Sequence, residues 1–187
     1  MAELLPGIIK QLEYYKQLGE KTFAQVPDEG LFWQYNEESN SISMIVNHIA
    51  GNLISRWTDF LTTDGEKEWR DRDREFTDQL KSREELTSHW EAGWKCLFDA
   101  MNSLNEDQLD TIIYIRNQGH TVTEAIYRSL AHTSYHIGQI VLIGKMLCNH
   151  NWTSLSIPRN ASKTFNTEKF AREKHKAHFT DEFLSKK

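Results

Sequence analysis

His132 and His136 stand four residues apart inside a helical pattern that runs over about 122–148. At about 100° per residue they fall roughly 40° apart on one helix face, one turn above the other. Ala125, Ser129, Ile140, Ile143 and Leu147 project from the same face. A stripe of small and apolar residues is what a helix turns toward a core. The two imidazoles therefore point inward, where their ring nitrogens need partners. Spacing alone leaves two outcomes open. The pair is either a hydrogen-bonded part of the core or two ligands of one metal ion, and a metal site needs at least one more ligand. Either way, a helix this long with one apolar face must be covered by others.

The covering helices are visible upstream. Over about 2–25, Leu5, Ile8, Ile9, Leu12, Tyr15, Leu18, Thr22 and Phe23 recur at three- and four-residue steps. Pro6 is early enough for a first turn, and Pro27-Asp28-Glu29-Gly30 ends the pattern. A second helix is expected from 39–43 to about 62, with Ile42, Ile45, Val46, Ile49, Leu53, Trp57 and Phe60 as its inner face. His48 flanks that face, with Asn52 and Asp59 nearly in line and Arg56 beside them. A third helix over about 82–103 starts with a capping box, Ser82 as N-cap and Glu85 three residues on. Thr111-Ile112-Ile113-Tyr114-Ile115 has strand composition. A turn over 116–119 and a return over 120–123 make a short hairpin before the fourth helix. Thr121 or Thr123 is the candidate cap of that helix.

Four amphipathic helices with little strand define an all-α fold, a four-helix bundle with a possible short β-hairpin before the fourth helix and a C-terminal extension. The tail over about 167–187 alternates charge around Phe170, Phe179, Phe183 and Leu184 and is expected as a short helix that docks or frays. The stretch 152–166 reads as loop. The run Glu66 to Phe76 alternates charge around Trp69 and Phe76 as apolar anchors. Such a run is usually a solvated face. The alternative is an ordered loop over a pocket that offers arginines to an anion.

Composition removes several classes. The 187 residues carry a net charge of −5, which argues against a general nucleic-acid binder, since phosphate binding needs a concentrated basic face. There is no run of about 18 apolar residues and no secretory leader pattern, and the mean hydropathy is −0.64. Cys96 and Cys148 lack zinc-type spacing and read as reduced thiols of a cytoplasmic protein. His89, His120, His150, His175 and His178 are set aside as packed, exposed or terminal. No Gly-x-Ser-x-Gly elbow, phosphate-cradling loop or dinucleotide motif is present.

Three stretches, in order, carry a family resemblance. They are Ser41-Ile42-Ser43-Met44-Ile45-Val46-Asn47-His48-Ile49-Ala50-Gly51-Asn52, then Ser55-Arg56-Trp57-Thr58-Asp59-Phe60 with its continuation to Asp73, then His132-Thr133-Ser134-Tyr135-His136-Ile137-Gly138-Gln139-Ile140. On these the chain resembles the DinB/YfiT-like superfamily, grouped broadly as metal-dependent hydrolases, and within it a subfamily of uncharacterised bacterial proteins. The resemblance covers residues 1–170 and implies a four-helix bundle with crossing connections, often dimeric, with 171–187 as a charged C-terminal extension. It also implies one divalent metal ion on His48, His132 and His136, and zinc and nickel both suit imidazole ligands. Some relatives are thiol transferases using bacillithiol or mycothiol, and others resemble hydrolases or isomerases.

Three neutral imidazoles would leave such an ion an open position for water or a substrate thiolate. No protein nucleophile is evident, so a metal-bound water is the expected catalytic group. Asn52, Asp59 and Gln139 are candidate acceptors for the second ring nitrogens. Arg56, Arg70 and Arg72 are candidates to hold a substrate carboxylate or phosphate. The expected function is a hydrolase or thiol-S-transferase acting on a small molecule as a homodimer. A non-catalytic metal- or ligand-binding protein is the alternative.

Overall fold

The computed structural model describes residues 4–77 and 80–184. The fold is mainly α. Its long helices are α1 (Leu4–Phe23), α3 (Ile42–Trp57), α4 (Arg83–Ser103) and α5 (Val122–Cys148). Shorter ones are α2 (Asp28–Leu31), α6 (Ser162–Phe170) and α7 (Asp181–Leu184), and β1 (Ile112–Ile115) pairs antiparallel with β2 (Gln118–Thr121). The expected start of α1 at Ala2 and the last residues of the extension lie outside the described residues.

The apolar stripes meet in one core. Leu12, Leu31, Ile42, Ile49, Leu53, Leu86, Trp90, Trp94, Leu97, Ile126 and Ile140 are buried there. α3 packs along α4, and α1 along α5. The α3–α4 approach is close because Gly93 of α4 has no side chain. A Cβ there would lie 2.7 Å from the Ala50 backbone. Caps fix the helix starts. Ser41 accepts the Met44 amide, Ser82 the Glu85 amide, and Thr121 with Glu124 forms a reciprocal capping box at α5. Arg83 donates to the carbonyls of Phe23 (2.9 Å) and Val26 (2.7 Å) and so closes the end of α1.

Several boundaries differ from expectation. α3 ends at Trp57, five residues before the expected Thr62, because Thr58 is extended (ψ 123°) and Asp59 turns left-handed (φ 47°). The hairpin turn is two residues, Arg116 and Asn117, both at positive φ (57° and 59°), as a type I′ turn requires. β2 therefore starts at Gln118, and Val122 and Thr123 belong to α5. Asp64 makes this turn tenable. Its carboxylate accepts the amides of Arg116 and Asn117, both at 2.8 Å, while Gly65 N donates to Tyr114 O at 2.8 Å. The segment that follows α3 is thus stitched to the hairpin.

α6 starts at Ser162, inside the stretch read as loop. In the extension, α7 docks on α1. Lys10 pairs with Asp181 at 2.7 Å, and the Phe179 and Phe183 rings lie 5.8 and 5.4 Å from that of Tyr14. No described helix is long and apolar enough to cross a membrane, and both cysteines are free.

Candidate metal centre

Three histidines converge between α3 and α5. His48 sits mid-way along α3, and His132 and His136 lie one turn apart on α5. One nitrogen from each lies within 4.8 Å of the others. His48 Nε2 is 3.1 Å from His132 Nε2, and the three ring centroids are 4.6 to 5.1 Å apart. His48 and His136 are buried, and His132 is half-buried.

The second nitrogens are held. His48 Nδ1 lies 2.9 Å from Glu75 Oε2, and His136 Nδ1 lies 2.8 Å from Gln139 Oε1. A carboxylate or amide oxygen can only accept, so Nδ1 carries the proton and the Nε2 lone pair is left for a ligand. Burial, reinforced by His136, His48, Arg70 and Arg56, pushes the pKa of His132 down to about 3. Burial also lowers that of His136, against its bond to Gln139. These two imidazoles are neutral at physiological pH, the state that binds metal.

The donor set fits a divalent ion. Two nitrogens on one tetrahedral zinc lie about 3.4 Å apart, close to the 3.1 Å between His48 and His132. Without an ion, His48 Nε2 and His132 Nε2 have mainly each other as partners, a poor use of buried ring nitrogens.

Glu75 was missed in the sequence. It lies in the charged run, in a 3₁₀ turn (Asp73–Phe76) packed on α3. Its carboxylate takes the His48 Nδ1–H and two bonds from Arg70, Nε at 2.7 Å and Nη2 at 2.8 Å. Burial opposes its charge, but the bonds from His48 and Arg70 outweigh this and hold its pKa below the usual carboxylate value. Asn47 Nδ2 donates to the Glu75 carbonyl at 3.0 Å, and the Phe76 ring lies 4.6 Å from the His48 ring.

Of the two expected apolar anchors of this run, Phe76 packs on His48 and Trp69 is corrected. Trp69 is 61% exposed, whereas Arg70 and Glu75 turn inward. Asp59 is also corrected as a partner for a histidine. With α3 ended before it, Asp59 is exposed and lines a separate groove with Trp57 and Cys96. A weak signal for Glu75 was Gly51, three residues beyond His48. A Cβ there would lie 2.4 Å from Glu75 Oε1.

A cavity of about 220 Å³ opens beside the cluster, lined by His48, Asn52, Arg56, Arg70, Arg72, Ile113, Ile115, Ser129 and His132 among others. Asn52, Arg56, Arg70 and Arg72 are thus brought to the histidines. Arg116 and Arg128 line the same cavity, and sequence reasoning missed both. Trp57 Nε1 donates to Ser129 Oγ at 3.3 Å in the cavity wall.

Residues 1–161 match the family described as "Protein of unknown function (DUF1572)", and the chain belongs to that family. Nothing among curated proteins matches it, and nothing among solved structures.

Proposed function

We propose that this chain is a metal-dependent enzyme of the DinB-like superfamily, a hydrolase or thiol-S-transferase, with one zinc or nickel ion held by His48, His132 and His136. The observation that carries the proposal is the adjacency of a three-imidazole cluster to a cavity lined with arginines. A divalent ion on three imidazoles keeps an open coordination position and supplies Lewis acidity there. Glu75 and Gln139 fix the tautomer and ring orientation of His48 and His136. Arg56, Arg70 and Arg72, with Asn52, orient an anionic substrate. Ile113 and Ile115 keep water from one wall.

In this reading α1, α3, α4 and α5 form the DinB-type four-helix bundle, residues 171–187 are an appendage to it, and the protein is cytoplasmic. A homodimer would cover Tyr127, Tyr135, Leu142 and Met146, apolar side chains of α5 that are 51 to 65% exposed.

The test is metal content. Tag-free protein is expected to hold one equivalent of zinc, nickel or a similar ion by elemental analysis, and a His132→Ala/His136→Ala double variant to lose it. Wild-type protein that takes up no ion after reconstitution would remove the proposed mechanism.

A further inference from the structure

Five arginines line the cavity: Arg56, Arg70, Arg72, Arg116 and Arg128. They come from α3, the segment after it, the hairpin turn and α5. Their pairing is uneven. Arg70 is held by both oxygens of Glu75 and its side chain is 2% exposed. Arg56 donates to the Gly65 carbonyl and to Glu66. Arg116 reaches the same Glu66 at 3.0 Å. The oxygens of Asp64 are taken up by backbone amides.

Two cations remain. Arg72 lies over the Phe76 ring, and the carboxylate paired with it, Asp73, is 3.9 Å away with a side chain 98% exposed. Arg128 has no ion-pair partner among the described residues. Burial lowers the pKa of Arg56 despite its bond to Glu66, and the charges of Arg70 and Arg128 add to that. Positive charge here is in excess, and a bound anion would relieve it.

We infer that the cavity takes a compact metabolite through a doubly charged anionic group, a phosphate monoester or a dicarboxylate, held by Arg72 and Arg128, with Arg116 beside it and apolar atoms against Ile113, Ile115 and Trp57. The inference rests on the reading of this cavity as the substrate pocket of the metal centre, and it changes which arginines do the holding. Arg56 and Arg70 are engaged by Glu66 and Glu75, whereas Arg72 and Arg128 are available. Two guanidiniums without a close carboxylate carry two positive charges, of which a monoanion neutralises one and a dianion both. The cavity, about 220 Å³, is below the roughly 300–1,000 Å³ of sites for drug-sized ligands, which sets the ligand's small size.

The test is calorimetric titration of the full chain, chelator-treated and at fixed ionic strength near pH 8, with inorganic phosphate, malonate and acetate. The same titrations are run on His132→Ala, so that binding to a residual ion cannot account for the result. Phosphate or malonate is expected to bind at least about tenfold more tightly than acetate, and Arg72→Ala/Arg128→Ala to lose about tenfold or more of that affinity. Both side chains are exposed, so the variant keeps its fold, checked by circular dichroism. Arg72→Lys/Arg128→Lys, which keeps the charge without the fork, is expected to fall between.

Preference for phosphate or for malonate names the source of the dianion. Equal binding of dianion and acetate, or a double alanine variant that binds like wild type, overturns the inference. Failure to bind metal would overturn the proposed enzyme yet leave these titrations standing, so the two failures are distinguishable.

Discussion

Glu75→Gln tests how the proposed metal centre is built. Glutamine keeps the shape of the side chain and removes its charge. In the native protein Glu75 and Arg70 have side chains 8% and 2% exposed and are joined by two hydrogen bonds. Removing one partner of a buried pair costs about 3–5 kcal/mol, mostly because the other charge is left uncompensated. Glu66 lies 3.5 Å from Arg70 and offsets part of this, so the loss should fall near the lower end, about 3 kcal/mol. For a chain of this size each kcal/mol moves the melting midpoint by about 2–4 °C, so the variant should melt about 6–12 °C lower. Glutamine keeps one acceptor oxygen, as Gln139 does for His136, but its NH2 cannot accept from Arg70 or His48, and disturbing the group that orients a histidine proposed as a ligand costs up to about 10–100-fold in metal affinity.

Calorimetric melting of metal-free protein reads the first effect, and competition with a chromophoric chelator reads the second. A variant within about 0.5 kcal/mol of wild type would refute the ion-pair argument. Unchanged metal affinity would refute a role for the charge of Glu75 in positioning His48. Gly51→Ala is the companion variant. It keeps the charge, but its Cβ would lie 2.4 Å from Glu75 Oε1, so it should weaken metal binding by displacing the carboxylate. The acid limb supplies a further check. The pKa of Glu75 is depressed in the folded state, so its contribution is present above its unfolded value of 4.5 and is lost as pH falls through the folded one. That loss should be missing in Glu75→Gln.

Two other outcomes follow from the packing and the histidines. Gly93→Ala would drive a Cβ to 2.7 Å from the Ala50 backbone. Backbone cannot swing aside as a side chain does, so urea unfolding should show a loss of about 1–3 kcal/mol or more. His132, at an ordinary 6.5 when unfolded and about 3 when folded, takes its proton first in the unfolded state. The stability of metal-free protein should therefore fall as pH drops below about 6.5. His132→Gln should flatten that slope between pH 7.5 and 5, and an unchanged slope would show that His132 is not the group responsible.

The helices were legible because their information is local. Apolar recurrence set the inner faces of α1, α3, α4 and α5, and the Thr121–Glu124 box set the start of α5. The hairpin was legible from its composition, but its turn was not. Arg116-Asn117 is a poor match to the usual Asn-Gly or Asp-Gly pair. It is held by Asp64, 52 residues earlier. The end of α3 was lost for a similar reason. Its apolar pattern continues through Phe60, which is buried from outside the helix after the chain breaks at Thr58 and Asp59. Periodicity reports which residues are buried, not whether the backbone that presents them is still helical.

The site divides along the same line. His132 and His136 could be paired by spacing, since one helix fixes their relation. His48 could be joined to them only by resemblance, because no local rule relates α3 to α5. Glu75 could be reached by neither route. In sequence it is one acid in a run of alternating charge, which by ordinary statistics belongs to a solvated face. Most of that run is solvated, with Glu68, Asp71, Asp73 and Arg74 exposed. The two inward members select each other. Arg70 cannot be buried without a carboxylate, and a buried carboxylate needs more than one donor. His48 Nδ1 supplies the additional donor, and Gly51 supplies the space. The charged run is therefore ordered by the histidine it orients. Any change that removes the His48–Glu75 bond should loosen the segment carrying Arg70 and Arg72 as well as the His48 ring.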